Sequence, residues 1–269
     1  ASVYFMDDPA GEKVELSVTQ NAIRGGPTSN CSEAGDCNDH VTLKGLIIEK
    51  FATLAQRGAI QPRYKNHGGD VMRYWTVEQN EIRWNHGLAV RGSYYSRLRD
   101  NHIHNNGYSG AEVGFHSLME GNEFSEHNWA GYNPGWAGGA FKVVGTEYTV
   151  IRGNYANANK GNGMWTDINN EHVVYEDNVS SNNDGDGFKR EISYDCAVRR
   201  NAGLGNYRRP NSGNWLWGAL IMIQNSEACD VYDNLVEVGE QGNAIAIVDQ
   251  VRNEFGGPHR GIANTVHRN

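Results

Sequence analysis

The sequence predicts an all-β fold, a right-handed parallel β-helix with a stacked asparagine ladder, on three observations. Seven segments align on one Asn: "TVEQNEI", "RLRDNHI", "LMEGNEF", "VIRGNYA", "VYEDNVS", "AVRRNAG" and "DVYDNLV", at Asn80, Asn101, Asn122, Asn154, Asn178, Asn201 and Asn234. The spacings between them are 21, 21, 32, 24, 23 and 33 residues. Helical 3.6-residue periodicity is nearly absent, while β-branched residues alternate with polar ones.

Each observation has a physical reason. A unit of 21 to 24 residues made of short strands and turns cannot bury its own apolar face, whereas stacked units can. Stacking brings equivalent residues to about 4.8 Å from one another. A turn Asn can then pair its amide with the Asn above and below, which satisfies amides that are costly to bury alone. The Leu spacing of a leucine-rich horseshoe is missing.

The elements follow in chain order. The opening "ASVYFMDDPAG" reads as mid-protein strand and turn, with no signal peptide. One β-helix domain over residues 1–269 is expected, a processed form or fragment lacking its N-terminal coils or cap. Cys31 and Cys37 flank a Gly-containing loop; a disulfide there, and a secreted protein, are expected, with two free thiols as the rival. Cys196 and Cys229 each precede a ladder Asn by five residues, so they should be stacked neighbours within disulfide reach. Two buried free thiols fit that placement equally well.

Composition narrows the partners. Net charge is −8 with scattered basic residues, so no nucleic-acid footprint is present and an anionic membrane would be repelled. No apolar run approaches the ~20 residues that span a bilayer. A monomer without a cofactor is expected.

Two coils are longer than the rest. Asn122 to Gly138 takes 16 residues and Asn201 to Gly218 takes 17, against 9 for Asn154 to Gly163 and Asn178 to Gly187. Both excursions are aromatic, with Trp129, Tyr132 and Trp136 in the first and Tyr207, Trp215 and Trp217 in the second, joined by Arg208 and Arg209. They should rise as two walls around a trough.

Between them lie "GMWTDIN" and "GFKREIS". Alternation turns every second side chain outward. Stacking the Gly-led strands predicts one outward column of Arg91, Gly114, Lys142, Asp167, Glu191, Met222 and Ile247. A second holds Ala89, Glu112, Ala140, Trp165, Lys189, Leu220 and Ile245. Two places beyond the first stand His116, Asn169, Ser193, Gln224 and Asp249. Asp167 and Glu191 are thus predicted outward, on adjacent coils, with Cβ atoms roughly 5 Å apart.

Like charges directly opposite are destabilising. Close carboxylates also push one pKa up, which leaves one protonated and one ionised, the division of labour of a glycosidase. Separations of roughly 5 to 5.5 Å favour retention, and roughly 6.5 to 9.5 Å inversion. Two other readings stay open: Lys142, with Lys189 or Arg190, neutralises the acids as an ion-pair ladder, or the acids and Asn169 bind Ca²⁺.

The whole chain resembles bacterial secreted proteins of the right-handed parallel β-helix superfamily, in its pectate-lyase-like branch. More narrowly, Trp165-x-Asp167 followed by Glu191-Ile192-Ser193 resembles the W-x-D and F-x-E-[IV] pair of glycoside hydrolase family 120, the β-xylosidase type. That resemblance implies Asp167 as nucleophile and Glu191 as acid/base, with Lys142 holding Asp167 ionised or binding a sugar hydroxyl. The motif covers about thirty residues, and "FKRE" is one residue longer than the family's F-x-E.

Three activities are expected in order. The first is a retaining glycoside hydrolase on a polysaccharide or oligosaccharide, with sugar contacts from Trp136, Trp165 and Trp217. Arg91, Glu112, His116, Asn169, Lys189, Arg190 and Gln224 would supply its polar subsites. The second is a polysaccharide lyase, the commonest enzymology that the superfamily resemblance implies, using a Lys or Arg base and Ca²⁺ on a uronate polymer. The third is a non-catalytic glycan-binding module. Of the remaining signals, His102-Ile103-His104 offers two imidazoles on one strand without an obvious third metal ligand. Asn30-Cys31-Ser32 and Asn178-Val179-Ser180 fit the glycosylation pattern, although Asn178 is a ladder residue. No phosphate-cradling Gly loop or Gly-x-Ser-x-Gly elbow is present.

Overall fold

The computed structural model describes residues 10–11, 13–25, 39–62, 72–207, 217–239 and 242–269. The expected disulfide of Cys31 and Cys37, the Asn30 sequon, Arg208, Arg209 and Trp215 lie outside the described residues. The described strands form three parallel sheets in which every pairing joins one coil to the next. Sheet 1 runs from Ile23–Arg24 through Leu88–Arg91, Gly139–Val144, Asn162–Asp167, Phe188–Glu191 and Ala219–Gln224 to Asn243–Val248. Sheet 2 runs from Thr42–Lys44 to Thr265–His267, and sheet 3 from Ile47–Glu49 to Leu235–Glu237. The chain visits sheet 2, sheet 3 and sheet 1 in turn on each coil. The fold is the parallel β-helix that the repeat predicts.

The Asn column sits at the corner between sheets 2 and 3. Asn80 Nδ2 donates to Asn101 Oδ1 at 3.1 Å, Asn101 to Asn122 at 2.8 Å and Asn122 to Asn154 at 2.9 Å. The run continues through Asn178 and Asn201 to Asn234 and on to Asn269. A residue with positive φ precedes each Asn of the predicted column, from Gln79 at 55° to Asp233 at 54°; two are glycines, Gly121 and Gly153. Asp and Asn, with Gly, tolerate that left-handed geometry best. A second ladder stands five residues further along each coil, at Asn85, Asn106, His127, Asn159, Asn183 and Asn206. His127 is fully enclosed, and burial pushes its imidazole down to about 3, so it sits there neutral.

Inside, single-file columns fill the tube. Val77, Leu98, Met119, Ile151, Tyr175 and Val198 line it from sheet 2, and Val90, Phe141, Met164, Phe188 and Ile221 from sheet 1. Burying such side chains contributes about 1.5–3 kcal/mol each. Cys196 and Cys229 are register partners and form a disulfide, with Cα atoms 4.4 Å apart.

The interior also holds one charged residue expected at the surface. Arg190 follows Thr166 and precedes Ile223 in an inward column of sheet 1 and is 1% exposed. Its Nη2 donates to the carbonyls of Asn170, at 2.7 Å, and Tyr194, at 2.5 Å. Burial lowers its guanidinium to about 10. The expected subsite role for Arg190 is therefore wrong: odd and even places of the strand face opposite ways, and Arg190 lies between outward Lys189 and Glu191.

Candidate active site

The outward register of sheet 1 is Glu112, Lys142, Trp165, Lys189, Met222 in one column and Val144, Asp167, Glu191, Gln224, Val248 in the next. The predicted adjacency of Asp167 and Glu191 holds. The predicted neighbours on most other coils are two places off. Gly138 and Gly218 are not strand starts, and the ladder aligns Ala140 and Leu220 with Gly163 and Gly187. A shift of two keeps a side chain on the same face, which is why Arg91, Lys142 and Met222 still lie on the outward side; on the last coil the offset is one, and Ile245 and Ile247, expected outward, align instead with inward Ile221 and Ile223.

The two columns form an ionic quartet around one ring. Trp165 is 2% exposed and lies between the lysines, with Lys142 Nζ 3.8 Å and Lys189 Nζ 4.5 Å from its ring centroid. Each lysine reaches one acid: Lys142 Nζ diagonally to Asp167 Oδ2 on the next coil at 2.5 Å, and Lys189 Nζ along its own strand to Glu191 Oε2 at 3.0 Å. Lys142 also donates to the Trp136 carbonyl at 2.8 Å. Trp165 thus positions two cations. Its face is covered, so the expected sugar-stacking role does not apply to it.

The acids differ in their surroundings. Asp167 Oδ1 is buried without a partner. Burial and the neighbouring Glu191 charge raise the Asp167 carboxyl above its ordinary value, against the pull of Lys142. Burial acts the same way on Glu191, yet Lys189 and Arg252 outweigh it and hold that carboxyl below its ordinary value. Arg252 Nη1 lies 2.7 Å from Glu191 Oε1. Glu191 therefore has a cation on each oxygen, and of the two acids it is Asp167 whose surroundings favour the protonated form.

Above this floor lies a cavity of about 450 Å³, within the range of small-molecule sites. Arg91, Glu112, Lys142 and Asp167 line it, with Tyr108 and Trp136 on one side and Arg252 and Phe255 on the other. Burial also raises the Glu112 carboxyl, although Arg91 and Lys142 oppose it; Arg91 Nη2 stands 3.4 Å from Glu112 Oε1.

One wall is the predicted first excursion. It is braced by Trp129 Nε1 donating to the Asn105 carbonyl at 2.7 Å and by the packing of Tyr108 on Tyr132 and Trp136. The other differs from expectation. It is the segment after the last sheet-1 strand, which folds back over the acids and is tied down where Asn169 Nδ2 donates to the Phe255 carbonyl at 2.7 Å. Trp217, from the second excursion, packs instead on Ala219, Met222, Ala246 and Val248 and does not line the cavity.

Three further expected subsite residues fall elsewhere. His116 belongs to a stack of rings with Tyr95, at 5.0 Å, and Tyr148, at 5.2 Å, outside the cavity. Gln224 continues the acid column beyond Glu191 and donates to Gln250 Oε1 at 3.3 Å, beneath the returning segment. Asn169 anchors that segment rather than facing the cavity. Ser193, expected outward, is fully buried at a corner, where its hydroxyl donates to the Glu191 carbonyl at 2.7 Å.

Arg252 and Phe255 are the site residues that the sequence reading passed over. A signal existed: 16 residues separate Val248 from Thr265, where the six preceding coils, from Leu88–Arg91 to Ala219–Gln224, turn from sheet 1 to sheet 2 in two to five. The donor set does not suit Ca²⁺, which takes six to eight oxygen ligands. Three of the four carboxylate oxygens of Asp167 and Glu191 are already held by ammonium or guanidinium groups.

The fold class agrees with the comparison to known families. The chain belongs to the right-handed β-helix family, whose model, described as a right handed beta helix region, matches residues 64–236. No curated protein and no solved structure matches it.

Proposed function

We propose that this protein is a carbohydrate-active enzyme, a glycoside hydrolase acting on a polysaccharide or oligosaccharide through Asp167 and Glu191. The observation that carries the reading is the pair itself: two carboxylates on adjacent coils, pushed in opposite directions by their surroundings, with Asp167 lining a cavity. Asp167, which keeps its proton and lines the cavity, is the general acid toward the leaving glycosidic oxygen. Glu191, kept ionised by Lys189 and Arg252, is the nucleophile or base once a substrate draws Arg252 aside. These roles are the reverse of those that the family 120 resemblance implies. Trp136 and Tyr108 offer apolar surface to a sugar ring, while Arg91 and Glu112 offer hydrogen bonds. The disulfide of Cys196 and Cys229 supports an exported protein.

Asp167→Asn should lower turnover of a panel of plant-type oligosaccharides by about 10²–10⁴ in kcat, the usual scale for a general acid, with the melting temperature unchanged. Full turnover in that variant would sink the proposal. Sugar binding without release of reducing ends, unaltered in Glu191→Gln, would point to a glycan-binding module instead. An activated 2-deoxy-2-fluoro glycoside decides the roles: label on Glu191 supports the assignment above, and label on Asp167 restores the order implied by the resemblance.

A further inference from the structure

Sheet 3 carries a second cluster of chemistry, on a different face from the cavity. Along His102–His104 the imidazoles face outward and Ile103 is fully buried between them. The register sets Glu81 beside His102 on one coil and Glu123 beside it on the other. The third ligand that the sequence lacks is supplied by stacking. One ligand atom each from Glu81, His102 and His104 lie within 4.8 Å of one another. His102 Nε2 is 3.4 Å from Glu123 Oε1.

The state of His104 is set by its neighbour. Asn105 donates its Nδ2 to Glu126 Oε2 at 2.7 Å, which turns its Oδ1 toward His104 Nδ1, also at 2.7 Å. An amide oxygen only accepts, so Nδ1 carries the hydrogen and donates. The other ring nitrogen, Nε2, faces Glu81 Oε1 at 3.2 Å. Two lone pairs at that distance repel unless a positive charge stands between them, either a proton on Nε2 or a metal ion bound to both. A ring N–H donated to a carbonyl is also the arrangement that fixes metal-ligating histidines.

We propose that Glu81, His102 and His104 form a divalent transition-metal site, with Zn²⁺ as the ion best matched to two imidazoles and a carboxylate. The fourth position is left to water or to Glu123. The metal would clip neighbouring coils together through their side chains. Arg83 opposes it, because its guanidinium already pairs with Glu81 Oε1 and must yield before the metal takes that oxygen.

Titration calorimetry of the full chain with Zn²⁺ tests this, together with the visible absorption of Co²⁺ bound in its place. One site per chain is expected, with a melting temperature that rises as metal is added. His102→Ala/His104→Ala should abolish both signals, and Glu81→Gln should weaken binding at least tenfold. Arg83→Ala should tighten it several-fold, a gain that an adventitious surface site would not show. Absence of stoichiometric binding, or unchanged affinity in the double variant, overturns the site. If the double variant does not fold, unchanged affinity in both Glu81→Gln and Arg83→Ala overturns it equally.

Discussion

The asparagine corner and the acid pair are the same device built from different groups. Both stack like residues on successive coils. At the corner, the amide has a donor and an acceptor, so each Asn gives one bond upward and takes one from below, and repetition costs nothing. Asp167 and Glu191 have only acceptors when ionised, so repetition costs energy. The structure offsets that cost with two lysines spread across Trp165, with Arg252, and with surroundings that raise the Asp167 carboxyl while lowering that of Glu191. A solenoid therefore repeats self-complementary groups for stability, and a repeated group that is not self-complementary marks chemistry.

Breaking the ladder should have the largest effect on stability. Asn154 Oδ1 accepts from the backbone and side chain of Asn122 at 3.0 and 2.9 Å, while its Nδ2 donates to the Met119 carbonyl at 2.8 Å and Asn178 Oδ1 at 3.0 Å. Asn154→Ala strands several buried polar groups at once and should cost about 3–5 kcal/mol in urea unfolding. Asp167→Asn, by contrast, puts a neutral amide of the same shape where burial already favours a protonated carboxyl, and should change stability by less than about 1 kcal/mol. Equal costs at the two sites would erase the distinction.

Replacing both cysteines by Ser is the next step down. The Cys196–Cys229 bridge closes a 33-residue loop between coils that already pair. About 3 kcal/mol should be lost, measured by urea unfolding of oxidised protein and variant.

What was legible in the sequence follows the same division. The first ladder shows as a repeated Asn because every coil needs the same group there. The second, which includes Asn85, Asn106 and Asn159, keeps a constant offset of five from the first and is interrupted only by His127, so it was equally legible in the same alignment and was passed over. The Asp167–Glu191 pairing was readable because the intervening coil has no insertion. The register of Lys142 and Met222 was not, since the excursions before them shift the apparent strand start by two. Arg190 was misplaced although alternation already turned it inward. Arg252 lies 61 residues from Glu191 and meets it only because a loop folds back across the coils; no periodicity encodes such a contact.

Arg252→Ala gives a smaller change than the ladder or disulfide variants and the sharpest test of roles. In the proposed mechanism activity rises with pH as Glu191 ionises at its depressed value, then falls as Asp167 loses its proton at its raised one, giving a bell-shaped profile. Removing Arg252 takes away one of the two cations that hold Glu191 down, so its value rises and the acid limb moves to higher pH. A carboxyl depressed in the folded state stabilises above its unfolded value, and that stability is lost as pH falls through the folded value. The variant should therefore lose about 1–2 kcal/mol near neutrality, and the deficit should shrink in acid, where Glu191 is protonated in both proteins. If Glu191 were instead the proton donor, the same rise would extend activity upward and move the basic limb. The limb that shifts therefore tells which carboxyl holds the proton.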